Sequence, residues 1–289
     1  MADARRFKAS DDGLTPEMRT AFADDGYLLI EDFAAPTLCD RLIARANGLV
    51  EEFDEKAHRT VFSTKSVAHA ADAYFKESGD AIHFFLEEGA VDRSGNLTRL
   101  KHLAINKIGH AMHDLDPVFS DFSRQPRLAA LAKDLFRDPL LLQSMYIFKQ
   151  PGIGGEISWH QDSTYLYTEP LSCIGFWFAL EDADSSNGGM LAIPGAHKGP
   201  LRERFRRLKD DSLVTEKLDE TPFPGHRSVK LDAKKGSLVV LHGLLPHYSS
   251  ANRSTRSRHA YTLHVIDGAS AYPADNWLRR RKDLPLKGF

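Results

Sequence analysis

Cysteine is nearly absent: the chain has two, Cys39 and Cys173, among 289 residues. So thin a supply excludes a disulfide framework and fits a reducing compartment. Long apolar runs are missing as well. None approaches the roughly 20 residues that cross a bilayer as a helix, so no membrane partner is expected. Charge of one sign is not in excess: 38 Lys and Arg face 40 Asp and Glu, a formal net charge of -2. That balance leaves no electrostatic footprint for nucleic acid. The opening MADARRFKASDDG lacks the apolar core of a signal peptide. A cytoplasmic location is therefore expected, and the glycosylation patterns at Asn96 and Asn252 are read as chance. No internal repeat and no low-complexity linker divides the chain, and no signal for an oligomeric state stands out.

What is present is an ordinary globular composition, 42% hydrophobic and 27% charged, in a chain long enough for a sizeable core. Its character changes once. Residues 1–138 read as a mostly helical front half. TPEMRTAFADDG offers Thr15 as an N-cap, Pro16 at the first helical position and Gly26 as a stop. YLLIEDF reads as a short strand, and the apolar spacing from Leu38 to Phe53 as a helix. AIHFFLEEG fits a strand or a helix. The stretch from Ala104 to Phe136 reads as two more helical segments. Residues 139–270 read as short β segments, among them CIGFWFAL, SLVVLHGLLPHYS and HAYTLHVID, cut by Gly-rich turns. Residues 271–289 form a C-terminal tail. Strands in such a series make a sandwich or barrel, here within a single domain, 1–289.

The chemistry starts at SWHQDSTYLYTEP, residues 158–170. Side chains alternate along a strand, so His160 and Asp162 point one way and Gln161 the other. Gln161 is expected to brace the strand. Two ligands hold a metal weakly. A non-haem Fe(II) site takes two His and one carboxylate on one face and keeps its remaining positions open. The second His is sought among His197, His226, His242, His247, His259 and His264. His247 ends an apolar strand and precedes the turn-rich SSANRSTRSR, where a jelly-roll barrel opens. His242 lies inside the apolar run and reads as core, and His197 sits on a loop. An isolated HxD triplet is most often a surface pair. This one lies in a β-rich region, with His247 on a later strand and Arg258 eleven residues beyond it. If the chain returns as an antiparallel partner, Arg258 comes back beside His247. A guanidinium there forks a carboxylate. A metal with open positions beside such an Arg points to a 2-oxo acid co-substrate.

These residues resemble the phytanoyl-CoA dioxygenase (PhyH-like) family of Fe(II)- and 2-oxoglutarate-dependent oxygenases. WHQD, NGGMLAIPGAHKG, GSLVVLHGLLPHYSSAN and RSRHAYTLH fall in the family's order. INKIGHAMHDLDPVF, QSMYIFKQP and HQDSTYLYTEP narrow the likeness to the subgroup called phytanoyl-CoA dioxygenase domain-containing protein 1. The resemblance implies a mainly β fold, a double-stranded β-helix (jelly-roll, cupin-like) core with flanking helices. It implies His160, Asp162 and His247 as iron ligands and Arg258 as the 2-oxoglutarate anchor. It also places Ser249, Trp177, Met145 and Lys107 near the co-substrate. Ser249 shares the strand face of His247. Trp177 shares a face with Gly175 and Ala179, where core packing is its other role. Lys107 reads by itself as an exposed helical lysine.

The implied activity is a dioxygenase that hydroxylates a small or medium organic substrate, consumes dioxygen and releases succinate and CO2. Phytanoyl-CoA itself is not carried over, because the subgroup differs from the fatty-acyl enzymes. Halogenating relatives have a small residue where Asp162 stands, so hydroxylation is favoured. The alternatives are a cupin-like Zn or Mn hydrolase or isomerase, and a non-catalytic jelly-roll binding protein. Arg258 and Ser249 weigh against the first, and the complete ligand set against the second. Three further stretches are read more plainly. Tyr165 and Tyr167 share a face if extended and are placed to line a pocket. The Arg-rich 202–209 run reads as a solvated helix face. His110 and His113, three apart on an expected helix, read as buried or capping residues.

Overall fold

The computed structural model describes residues 4–63 and 72–289. The chain opens with β1 (Arg6–Lys8), α1 (Pro16–Asp25), β2 (Tyr27–Glu31) and α2 (Pro36–Glu52). It continues with α3 (Ala73–Lys76), β3 (Ile82–Leu86), β4 (Ile105–His110), α4 (Met112–Leu115), α5 (Pro117–Ser123) and α6 (Pro126–Leu135). Helix α1 starts as expected. The Thr15 hydroxyl accepts the Met18 N–H at 3.3 Å, Pro16 takes the first turn, and Gly26 closes the helix at φ 80°. Residues 1–138 are expected to be mostly helical, yet among the described residues they hold four strands beside their helices. INKIGH is one of them: β4 pairs antiparallel with β3 on one edge and with the strand that follows α6 on the other. Sheet pairing overrides its helix-like spacing there.

Ten strands follow: β5 (Pro139–Ile147), β6 (Ile157–His160), β7 (Ile174–Ala179), β8 (Met190–Ala192), β9 (Glu203–Arg207), β10 (Leu213–Lys217), β11 (Val229–Lys230), β12 (Leu238–His242), β13 (His247–Ser249) and β14 (Ala260–Asp267). They build an eight-stranded sheet, ordered β1-β2-β12-β7-β14-β5-β4-β3, and a four-stranded sheet, ordered β11-β8-β13-β6. The two sheets make a jelly roll. The Arg-rich run is not a helix but the β9–β10 hairpin, paired from Arg207–Leu213 to Glu203–Lys217.

Alternation decides which face each residue serves. In β12, Leu238 and Val240 join the core beneath the helices, with Met18, Leu42, Phe122 and Leu131. Val239 and Leu241 point the other way and meet Met190 and Ala192 of the small sheet. In β7, Phe176 and Phe178 take the helix side, while Trp177 and Ala179 face inward. Both faces of these strands are buried, which is why their sequences read as continuous apolar runs. A third cluster, with Phe75, Phe85, Phe205 and Trp277, gathers at one end of the roll. The C-terminal tail contributes Trp277 and Leu278 to it, and Leu141 and Lys287 bridge. Among the described residues no helix is long and apolar enough to cross a membrane.

Candidate metal centre and its cavity

Strands β6 and β13 are antiparallel neighbours, and their register puts His247 directly opposite His160. The two imidazole centroids lie 4.2 Å apart. β6 ends at His160, but Gln161 stays extended at φ -116° and ψ 133°. The alternation therefore carries one residue past the strand, and Asp162 returns to the face of His160. A short 3-10 turn, Asp162–Thr164, then ends the extended run. Gln161 points away, as expected. Its amide donates to Pro200 O at 3.1 Å and Leu244 O at 2.8 Å, and accepts the Arg202 N–H at 2.9 Å. Those three bonds pin the segment between the two aligned side chains.

One metal-binding atom from each of His160, Asp162 and His247 lies within 4.8 Å of the other two. The tautomers follow from the backbone. His160 Nδ1 lies 2.8 Å from Ser158 O, and His247 Nδ1 lies 3.1 Å from Leu245 O. A carbonyl only accepts, so each Nδ1 carries the hydrogen and each Nε2 keeps its lone pair. Those Nε2 atoms sit 3.7 and 3.6 Å from Asp162 Oδ1, too far for direct hydrogen bonds. Burial, with His247 beside it, pushes His160 down to about 4. Burial alone would raise the Asp162 carboxyl, but His247, His264 and His160 override it and hold it well below the usual carboxylate range. Two imidazoles and a carboxylate on one face are the donor set of a non-haem Fe(II) site, so the residues present fit that metal.

The second Asp162 oxygen has its own neighbour. His264 Nε2, from β14, stands 3.4 Å from Asp162 Oδ2. Gly175 of β7 leaves the space: a Cβ there would come within 2.9 Å of the same oxygen. His264 had been one of six histidines considered for the ligand set, and only its place behind Asp162 separates it from His247. Gly175 carries no sequence signal beyond its presence in an apolar strand.

The triad opens on a cavity of about 430 Å³. Arg258 lines it, buried, just before β14. Its Nη2 donates to Ser249 Oγ at 3.2 Å, and Ser249 Oγ donates to Gly188 O at 2.8 Å. The guanidinium carbon lies 5.3 Å from the Trp177 ring centre. Among the described residues its Nε has no hydrogen-bond partner. The route expected for Arg258 was different. β13 and β14 are not paired; each is flanked by other strands in its own sheet. Arg258 reaches Ser249 across the roll, from the large sheet to the small one.

Met145 and Lys107 line the same cavity. Lys107 is neither helical nor exposed: it stands buried on β4, its Nζ 3.2 Å from the Phe62 ring centre. Burial pushes it down to about 7, with Glu87 pulling the other way. Lys149, buried with its Nζ donating to Gly155 O at 2.5 Å, adds an amine that burial and Arg258 push down to about 6. Sequence reading missed Lys149 as part of this wall, and Glu87 as the carboxyl group that acts on both lysines. Tyr165 lines the cavity but Tyr167 does not: Tyr165 closes the 3-10 turn at φ -96° and ψ -27°, so the run is not extended there, and Tyr167 lies 4.0 Å under Arg204 instead. The hairpin arginines are engaged as well. Arg204 pairs with Asp275 at 2.7 Å, Arg206 with Glu216 at 2.9 Å and Arg207 with Asp211 at 2.8 Å, while Glu203 and Phe205 face the cavity. His110 ends β4 and lines the cavity; His113 lies in α4, buried against Ser144 Oγ at 2.9 Å.

Comparison with known proteins agrees with this geometry. The solved structure of the non-heme alpha ketoglutarate dependent carbocyclase SnoK, from nogalamycin biosynthesis, superposes with a TM-score of 0.63 at 18% identity, covering 96% of this chain and 98% of that one. EctD from S. alaskensis, solved with 2-oxoglutarate and 5-hydroxyectoine, gives 0.64 at 19%, covering 95% and 87%. Both likenesses establish the fold. Among curated sequences, a phytanoyl-CoA dioxygenase of Arabidopsis thaliana is 44% identical over 271 residues, 93% of this chain and 95% of that one. The phytanoyl-CoA dioxygenase domain-containing protein 1 of Mus musculus is 41% identical over 283 residues, 94% and 97%. The family profile Phytanoyl-CoA dioxygenase (PhyH) matches residues 22–260, and the chain belongs to that family.

Proposed function

We propose that the chain is an Fe(II)- and 2-oxoglutarate-dependent dioxygenase that hydroxylates a small or medium organic molecule. The observation that carries this reading is the convergence of His160, Asp162 and His247 on a cavity whose wall also holds the buried cation Arg258. A Zn or Mn hydrolase has no use for that cation. Bound at the triad, Fe(II) supplies the redox chemistry that couples dioxygen and 2-oxoglutarate to substrate hydroxylation, with succinate and CO2 as co-products. The chain's own groups bind and orient. His160 and His247 present lone pairs fixed by their backbone bonds. Asp162 offers one oxygen, with His264 and Gly175 shaping the space of the other. Arg258 and Ser249 hold the distal carboxylate of 2-oxoglutarate, with the Trp177 ring centre 5.3 Å from the guanidinium carbon. Met145 and Lys107 border the same acid. Cavity walls of Phe75, Phe205 and Trp277 exclude water around the reacting centre.

The single-domain reading, 1–289, is supported by the shared sheet: β1 to β4 from the front half join β5, β7, β12 and β14. The working partners are a small-molecule substrate and dioxygen, with neither nucleic acid nor a membrane. A cytoplasmic location is supported by Cys39 and Cys173, both buried and unpaired. Calorimetric titration of 2-oxoglutarate, with and without Fe(II) and under nitrogen, tests the proposal. Binding that requires the metal is expected. Metal-independent binding, or none, contradicts it.

A further inference from the structure

His110 has its two nitrogens in different worlds. Ser78 Oγ, buried at the Ser78–Asp80 turn, donates its one hydrogen to Phe75 O at 2.6 Å. Toward His110 Nδ1, 2.8 Å away, that hydroxyl can only accept. Nδ1 therefore carries the imidazole hydrogen, and Nε2 is left with a lone pair. The ring is held in place by Trp277 at 5.3 Å and 83°, Phe75 at 6.2 Å and 86°, and Phe85 at 5.6 Å and 39°. Burial, with Lys107, His83 and His264 around it, keeps the imidazole neutral. Nε2 has no partner among the described residues, and His110 lines the cavity.

The rest of the wall sharpens what this means. Lys107 donates in either form, as an ammonium or as a neutral amine. The Gln143 amide offers both senses and selects neither. Glu203 is a second acceptor, but half-exposed on the hairpin. Phe75, Tyr165, Phe205 and Trp277 surround the space with aromatic surface. A cationic donor would be repelled by Lys107 whenever that amine is protonated; a neutral one would not.

We infer that His110 is a specificity-determining residue whose Nε2 accepts a hydrogen bond from the substrate, and that the substrate is an apolar, ring-bearing molecule with a neutral hydroxyl. The inference rests on reading this cavity as the substrate site. An unpaired buried acceptor discriminates because an analogue without the donor leaves it desolvated and unsatisfied.

Two matched pairs test this: 2-naphthol against 2-methoxynaphthalene, and 4-phenylphenol against 4-methoxybiphenyl. Calorimetry uses the full chain, with and without Fe(II) and 2-oxoglutarate, under nitrogen. Each phenol is expected to bind at least about tenfold tighter than its ether. His110→Phe should bring the ratio near one, and His110→Gln, which keeps an acceptor, should restore part of it. Equal affinities in the wild type, a ratio untouched by His110→Phe, or no binding of either phenol overturns the inference. A second readout needs no variant. Nitrogen-15 NMR of the metal-free, histidine-labelled protein should show His110 protonated at Nδ1 and bare at Nε2; the opposite tautomer overturns the inference. The outcomes separate it from the dioxygenase reading. Phenol selectivity without succinate formation would remove the chemistry and keep the recognition, and the reverse would remove the recognition alone.

Discussion

Gly175→Ala isolates the geometry of Asp162 without touching a ligand. The new Cβ would sit 2.9 Å from Asp162 Oδ2 and 3.6 Å from the His264 ring. A comfortable contact needs roughly half an ångström more. The backbone cannot give it, since β7 is paired with β12 on one side and β14 on the other. The carboxylate must move instead. In the metal-free protein it can swing into the cavity at little cost. With metal bound, the ligand is held about 0.5 Å or more from its productive place, the tolerance of such sites. Metal affinity is expected to fall by about 10–100-fold, the usual effect of disturbing a ligand's support, or roughly 1.4–2.7 kcal/mol. Anaerobic competition with a coloured Fe(II) chelator reads the affinity. Thermal unfolding with and without metal supplies the companion, a smaller metal-induced rise in Tm with the metal-free Tm nearly unchanged. Wild-type affinity in Gly175→Ala would refute the reasoning, because Asp162 would then not be the ligand or its position would not matter.

Other outcomes follow from the same geometry. Arg258→Ala removes a buried cation from the acid's far end, so the 2-oxoglutarate Kd should rise by tens-fold or more, about 2–5 kcal/mol; an unchanged Kd would move the anchor elsewhere. Asp162→Ala should abolish succinate formation while circular dichroism shows the native fold, and full turnover would contradict its role. Stability of the metal-free protein should fall in acid. Burial pushes His113 down to about 3, and burial with His197 pushes His242 down to about 4. Unfolded histidines protonate near 6.5, so below that the unfolded state binds more protons and stability drops as pH falls toward 4. Urea melts between pH 7 and 4.5 check the sign, and a flat or inverse profile would show that these histidines are not buried neutral.

The legible parts of this protein were those where period two meets a functional residue type. His160, Gln161 and Asp162 could be set on opposite faces because the chain stays extended through Gln161, and Trp177 because β7 alternates cleanly between two cores. Helix α1 was legible from Thr15, Pro16 and Gly26, each acting locally. Readings went astray where distant pairing decides. Lys107 and His110 looked helical, yet β4 is held in sheet on both edges. The arginines of 202–209 looked like a helix face, yet they belong to a hairpin and engage Asp275, Glu216 and Asp211. Arg258 was placed near His247 by an imagined hairpin, and reaches Ser249 across two sheets instead. Gly175 and His264 could not be singled out, since their importance lies in contacts with an oxygen of Asp162 that only the folded chain brings near.

The most direct test mixes the protein with Fe(II) and 2-oxoglutarate without oxygen, records visible absorption, then admits oxygen and counts succinate. Chelation of the acid at the triad should give a metal-to-ligand charge-transfer band, followed by slow succinate formation that the right substrate accelerates. Absence of both band and succinate, in protein shown to be folded, would contradict the assignment of His160, Asp162, His247 and Arg258 as one iron and 2-oxoglutarate site.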